Sequence, residues 1–333
     1  MNRYRLTSRL QAIGVALILL LCGCTSPPAT TTRLVIGLGY LPSVQFAQFY
    51  RAQQQGYYRD AGLEVEFQNR IDPDLVTLVG QGALDMGMGD GTSVIAAVAQ
   101  GIPVRYAASI YARFPSVVYA SAASGIVAPD DLAGRSLGIP GRFGSSWIML
   151  QALLASAGMT PDDVAIQLYP DFGQMVGLRE GQVDAATGFA NNEPVQLQRA
   201  GFAVNVLRVD EITPLPGPGL IVGEAALRDK PDALRRFVAA TLRAMDEIIA
   251  DPAAGLEDSI AFVPDLGQQR DAQLAVLEAT IEMWQSPYTL ENGLGAIDGA
   301  AWTESIEFMR GLPDLNVPAS LAADQLLTEE LLP

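Results

Sequence analysis

The chain has 333 residues and a formal charge of −16, from 21 Lys plus Arg against 37 Asp plus Glu, with two cysteines and no histidine. So acidic a surface does not suit nucleic acid, whose binding rests on Lys and Arg neutralising phosphates. A His-based triad, a His general base and a His-ligated metal are excluded outright, and the single lysine, Lys230, sits in a charged Arg228-Asp229-Lys230-Pro231 loop that reads as solvated, a poor setting for a Schiff-base amine.

At the N-terminus Arg3, Arg5 and Arg9 precede an apolar run, Ala12–Leu21, shorter than the roughly 20 residues that a spanning helix needs. Residues 1–23 therefore read as a cleavable secretory signal. The end of the run, Leu21-Cys22-Gly23-Cys24, resembles the lipidation site of bacterial lipoproteins. Cys24 is the expected acylated residue because the small Gly23 precedes it; Cys22, after Leu21, fits poorly. Cleavage there would remove the three arginines and move the formal charge from −16 to −19, and it would leave no pair of cysteines for a disulfide. Residues 24–32, with the Thr25–Thr32 segment TSPPATTT, read as a loose tether reaching at most about 26–29 Å. The expected location is the extracytoplasmic face of the cell membrane, a soluble domain held by its lipid alone.

Leu34-Val35-Ile36-Gly37-Leu38 reads as a buried strand, broken at Gly39-Tyr40-Leu41-Pro42 before an amphipathic helix. Strand ends of open α/β sheets form ligand crevices, which makes Tyr40, Gln45 and Phe46 ligand candidates. A turn at Gly56–Gly62, a strand at Leu63–Phe67, a helix opened by Asp72-Pro73-Asp74, a strand at Asp85–Gly89, a helix over Val94–Gln100 and a strand at Val104–Ile110 follow. This alternation predicts a mainly parallel sheet. Asp90 is an expected helix N-cap that faces the crevice, and Tyr111 follows the last of these strands. Ser116–Ala122 is extended and leads out of this lobe. A second unit starts with a strand at Arg135–Pro140, and Gly141-Arg142-Phe143-Gly144-Ser145-Ser146-Trp147 opens a helix to Ala157. Phe143, Ser145 and Trp147 there mirror the opening stretch, and free N–H groups at that helix start suit a polar or anionic ligand atom. Strands at Val164–Tyr169, Asp184–Phe189 and Val204–Val209 complete the unit, with Asn192 and Glu193 at a strand end; Glu193 also suits the first turn of a helix. Thr213–Gly219, rich in Pro and Gly, marks the return crossing, and two crossings make a hinge. Beyond Ile221 the pattern is helical, over Pro231–Ala250, Pro252–Phe262, Gln268–Trp284 and Ala300–Gly311, expected to pack around the first lobe. The lobes are set at residues 33–118 plus 220–333 and 119–219, with no internal sequence repeat.

Taken together, Tyr40-Leu41-Pro42, Gly56-Tyr57-Tyr58-Arg59-Asp60-Ala61-Gly62-Leu63-Glu64-Val65, Gln100-Gly101-Ile102-Pro103-Val104, Asp131-Leu132-Ala133-Gly134-Arg135 and Asn192-Glu193-Pro194 resemble the NMT1/THI5-like solute-binding proteins of vitamin importers, from about Leu34 to Ala250. The resemblance implies an α/β type II periplasmic-binding-protein fold, two α/β lobes joined by a two-segment hinge and closing on a ligand without catalysis. It further implies an ABC permease and ATPase as partners, a monomer, and no cofactor or metal. Members that bind thiamine-pyrimidine precursors show an acidic-aromatic pair ending the first strand and a His shortly after the Pro; Gly39-Tyr40 and Phe46 stand there instead. Val44-Gln45-Phe46-Ala47 is closer to the riboflavin branch, which makes riboflavin the expected ligand and a thiamine-pyrimidine precursor the alternative. A flavin wants stacking faces, from Tyr40, Phe46, Tyr111, Phe143 and Trp147, and polar partners, from Gln45, Asp90, Ser145, Asn192 and Glu193. A pyrimidine synthase of the same superfamily, which uses a pyridoxal-phosphate-bound lysine and a histidine, is disfavoured by the missing His.

Overall fold

The computed structural model describes residues 31–71, 74–312 and 315–333. The expected signal, Cys24 and the tether up to residue 30 lie outside the described residues; Thr32, assigned above to the tether, already begins a strand.

Among the described residues, ten strands make two five-stranded sheets of one plan. β1 (Thr32–Leu38), β2 (Leu63–Asn69), β3 (Met86–Asp90), β4 (Val104–Ser109) and β10 (Pro218–Gly223) are ordered β2-β1-β3-β10-β4. β5 (Ser116–Ser121), β6 (Ser136–Ile139), β7 (Ala165–Leu168), β8 (Ala185–Phe189) and β9 (Val204–Arg208) are ordered β7-β6-β8-β5-β9. β1 and β3, like β6 and β8, run parallel, while β10 and β5 run antiparallel to both of their neighbours. Each sheet thus receives its antiparallel strand from the chain just after it has left the other sheet. Sequence periodicity missed β10, because Pro-Gly punctuation reads as a break. Its glycine answers to close packing: a Cβ at Gly219 would stand 2.2 Å from the Tyr106 ring and 2.4 Å from the Ala108 carbonyl oxygen.

The crossings run through residues 110–115 and 209–217 and touch each other: a Cβ at Gly217 would lie 2.4 Å from the Tyr111 carbonyl oxygen, and the Tyr106 hydroxyl donates to the Gly217 carbonyl at 3.1 Å. Residues 116–118, counted above with the first lobe, pair in the second sheet, and Pro218 and Gly219, counted with the second, pair in the first.

The helices are α1 (Ala47–Gln54), α2 (Tyr57–Asp60), α3 (Asp74–Gly80), α4 (Gly91–Ala99), α5 (Gly144–Ser156), α6 (Gln174–Arg179) and α7 (Glu193–Arg199). After β10 come α8 (Glu224–Asp229), α9 (Pro231–Ala250), α10 (Pro252–Phe262), α11 (Arg270–Trp284), α12 (Pro287–Asn292), α13 (Gly299–Arg310) and α14 (Ala323–Leu326). Apolar residues of α1, α9 and α11, such as Phe49, Phe237 and Trp284, bury against β1 and β10, as the helical periodicity of the C-terminal third requires. Arg51 of α1 binds them further through Glu247 of α9 at 2.9 Å and Asp258 of α10 at 2.7 Å. A second core, from Leu75 and Ile95 to Val118, Leu137 and Trp302, runs across both sheets. No helix among the described residues is long and apolar enough to cross a membrane.

The two sheets also share a carboxylate staple at the end remote from the crevice. After α3, Gly82 takes φ +74, the Ala83 N–H reaches the Leu78 carbonyl at 2.9 Å, and Asp85 accepts the Val35 N–H of β1 at 2.9 Å. After α6, Gly181 takes φ +69, the Gln182 N–H reaches the Gly177 carbonyl at 2.8 Å, and Asp184 accepts the Ser136 N–H of β6 at 2.8 Å. Each is a left-handed glycine ending a helix, then an aspartate tying the next strand to its parallel neighbour. Lys230, expected to be solvated, joins the first staple by an ion pair to Asp85 at 2.7 Å.

Two predictions follow the staple. A Cβ at Gly181 meets nothing within 4 Å, so Gly181→Ala should cost about 1–2 kcal/mol through its left-handed backbone alone. Gly299→Ala, equally open but without a positive φ, should be neutral or stabilising by about 0.4–1 kcal/mol; denaturant unfolding of both variants checks the contrast. Hydrogen bonds from the Ser136 hydroxyl and N–H hold the Asp184 carboxyl below the ordinary aspartate value of 3.8. Its stabilisation is therefore full above that pH and is lost as pH falls through the lowered value. Acid unfolding of Asp184→Asn should accordingly be less steep below pH 3.8 than that of the native chain.

Candidate functional site

The parallel strands of both sheets end at one crevice. β1 runs into Gly39 and Tyr40, β3 ends at Asp90, and the chain beyond β4 brings Tyr111. From the second sheet β6 leads to Pro140 and Phe143, β7 to Phe172, and β8 through Phe189 to Asn192 and Glu193. The crevice is the cleft that strand polarity demands in such sheets. Nine of the ten residues expected to contact a ligand line it: Tyr40, Gln45, Phe46, Asp90, Tyr111, Phe143, Ser145, Asn192 and Glu193.

Trp147 does not. It lies on the buried face of α5, 6% exposed, within the core that runs across the sheets, and Arg142 covers its ring at 5.2 Å. It stands two helix positions, a rotation of about 200°, beyond the crevice-facing Ser145, which puts its side chain on the opposite face. Phe46 does both jobs, facing the crevice while packing on Phe49 and Tyr50. Gly144, at φ +64, turns the chain so that Phe143 and Ser145 both face the crevice.

Ile71, Met88, Pro140, Phe172, Gln174 and Phe189 line the crevice unforeseen. Phe172 carries the clearest structural mark: φ +62, the left-handed region, in a side-chain-bearing residue. That backbone sets its ring edge-on to Tyr40 at 5.0 Å across the crevice. Phe172 follows β7 as Tyr40 follows β1, so strand-end logic applied evenly would have found it. Phe189 likewise meets Tyr111 at 6.4 Å, with the rings inclined at 63°.

Polar groups stitch the two sides as well. Asn191, fully buried, points its Nδ2 at Gln45 Oε1 (3.1 Å), Tyr111 hydroxyl (3.2 Å) and Thr280 Oγ1 of α11 (2.8 Å). One amide has two hydrogens, so three acceptors share them. α11 thereby touches the second sheet's strand ends, beyond the packing on the first lobe that periodicity implies. Asp90, expected to cap α4, makes no side-chain cap; its Oδ2 accepts the Ser145 N–H at the start of α5 at 3.1 Å. Glu193 begins α7 and turns Oε2 back to the Phe189 N–H at 2.8 Å. Gly188 makes room for it, since a Cβ there would stand 2.6 Å from that oxygen.

Burial raises the pKa of both carboxylates; hydrogen bonds from Ser145 to Asp90, and from the Phe189 N–H to Glu193, pull the other way without prevailing. Burial, then the Glu193 charge, pushes the Tyr40 phenol well above its ordinary value, while burial and, more weakly, Asp90 do the same to Tyr111. No Lys or Arg among the described residues lines the crevice. Lys230 stands with Asp85 and the Arg33 carbonyl at the opposite end of the first sheet. The arrangement offers aromatic edges, amides and two electron-rich carboxylates, a surface for a flat, uncharged molecule that bears hydrogen-bond donors. No group of His, Cys, Asp and Glu among the described residues is placed to hold a metal ion.

The left-handed Phe172 gives a ligand-free test. Phe172→Ala keeps the unfavourable backbone and Phe172→Gly relieves it, so the glycine variant should be the more stable of the two by about 1–2 kcal/mol. Equal unfolding free energies would show that no strain is stored there.

The model of the NMT1/THI5-like family matches residues 43–255. The chain is 34% identical to the riboflavin-binding protein RibY of Chloroflexus aurantiacus, the alignment covering 98% of each. It is 28% identical to the 4-amino-5-hydroxymethyl-2-methylpyrimidine phosphate synthase THI13 of Saccharomyces cerevisiae, over 71% of this chain and 73% of that one. Among solved structures, the ligand-binding component of an ABC-type import system from Staphylococcus aureus, solved with zinc bound, superposes with a TM-score of 0.67 at 16% identity, covering 90% of this chain and 97% of that one. Twin sheets of one strand order, a two-segment hinge and an interlobe crevice at the strand ends are the type II periplasmic-binding-protein fold, and the chain belongs to the NMT1/THI5-like family.

Proposed function

We propose that this protein is the lipid-anchored, extracytoplasmic solute-binding component of an ABC importer, which captures riboflavin between its lobes and hands it to a permease driven by an ATPase. The observation that carries the reading is the crevice itself: aromatic rings from both lobes, flanked by amides, the buried Glu193 carboxylate and the half-buried Asp90 carboxylate, with no Lys or Arg among the described residues of its lining. The isoalloxazine ring is a large π-face, and the ribityl chain supplies hydroxyl donors for Asp90, Asn192 and Glu193. End-to-end similarity to a riboflavin-binding protein supports the same ligand.

A pyrimidine synthase-like activity is the weaker reading. The chain has no histidine, and its only amine-bearing side chain is tied to Asp85 at the far end of the sheet. A thiamine-pyrimidine precursor has one observation in its favour. The crevice holds about 110 Å³, below the roughly 300–1,000 Å³ of most small-molecule pockets, so a single ring needs less opening than a flavin. The riboflavin reading therefore requires the lobes to part through the crossings at 110–115 and 209–217, undoing the Tyr40–Phe172 and Asp90–Ser145 contacts.

Titration of purified protein into riboflavin should quench flavin fluorescence at micromolar concentrations with one site per chain. Tyr40→Ala should weaken binding about 2–12-fold, the worth of one aromatic pair. No quenching, together with heat on injecting an aminopyrimidine, would replace riboflavin by the pyrimidine ligand.

A further inference from the structure

We infer that the crevice selects against ligands carrying a phosphate or sulfonate group, and that Asp90 is the residue that sets this selectivity. The inference rests on the solute-binding reading but not on which solute is bound. An anion entering a protein cleft needs Lys, Arg or unengaged N–H groups. Among the described residues the crevice lining holds neither Lys nor Arg, and the chain holds no His.

Of the helices that start at the crevice, α5 is the longest, with 13 residues, and its first N–H groups are a natural anion receptor. One of those groups, the Ser145 N–H, is already served from within the protein. Asp90, on the opposite lobe, places Oδ2 3.1 Å from the Ser145 N–H, and the Ser145 hydroxyl also bonds the same carboxylate. The negative group that the helix start favours is thus a side chain of the protein. A ligand phosphate would have to displace it while facing Glu193, which is 7% exposed and has its Oε2 committed to the Phe189 N–H. Glu193 is buried and Asp90 half-buried, so a third negative group meets repulsion that a fully exposed site would dissipate.

The test uses the isosteric Asp90→Asn, which keeps an acceptor for the Ser145 N–H and removes the charge, and Asp90→Ser, which also clears space. Riboflavin and its 5′-phosphate differ by the phosphate alone. The native chain should prefer riboflavin by about 100-fold, two tenfold steps for the like-charge juxtaposition, and Asp90→Asn should shrink that ratio by about tenfold or more. A second arm needs no flavin: inorganic phosphate, against chloride at matched ionic strength, should leave the melting temperature of the native chain unchanged and raise that of Asp90→Ser. Equal affinity of the native chain for the two flavins, an unchanged ratio in Asp90→Asn, or phosphate stabilisation of the native chain equal to that of Asp90→Ser would overturn the inference. If neither flavin binds, the riboflavin reading fails and the phosphate arm alone decides: a shift confined to Asp90→Ser supports the inference, and no shift in Asp90→Ser overturns it.

Discussion

Two carboxylates, Asp90 and Glu193, are held in a crevice that supplies no cation to either, and much of the molecule serves to make that tolerable. A buried carboxylate without a partner is among the costlier things a protein can hold. Here each is met by backbone N–H groups instead: Asp90 by the start of α5 across the cleft, Glu193 by the Phe189 N–H four residues back. Gly188 gives Glu193 its room and Gly144 aims Ser145 at Asp90. The charges are therefore stabilised by dipoles fixed in the fold, which leaves their remaining acceptor capacity for a ligand with donors.

The same contacts join the lobes. Asp90 to Ser145, Asn191 to Gln45 and Tyr111, and Tyr40 to Phe172 all cross the cleft. Opening breaks them together, and a ligand that enters must offer replacements. That is the energetic logic of a binding protein that closes: protein–protein contacts of modest worth are exchanged for protein–ligand contacts of the same kind. The paired staples at Asp85 and Asp184 tie parallel neighbours together at the remote end of each sheet.

Much of this was legible in the chain because strand ends and helix starts carry strong local signals. Tyr40, Asp90, Ser145 and Glu193 were each found by the rule that ligands sit where parallel strands stop. The rule failed in two instructive ways. It took Trp147 as a ligand face, although helical rotation carries it into the core. It was also not carried to the end of β7, where Phe172 follows as Tyr40 follows β1; only the left-handed backbone that sets the Phe172 ring against Tyr40 has no local signal. Long-range facts lay further from reach. That β10 would insert between β3 and β4, or that the Asp90 carboxylate would reach the other lobe rather than cap its own helix, depends on tertiary placement alone. The repeated left-handed glycine and aspartate of the two staples, three residues apart each time, are visible in the sequence only once their matching geometry is known.

The central claim is that the cleft binds an uncharged, donor-bearing flat molecule. Native mass spectrometry of the protein incubated with an equimolar mixture of riboflavin and riboflavin 5′-phosphate tests it in one spectrum. The account predicts a mass increment of one riboflavin per chain; an increment matching the phosphate ester would contradict it.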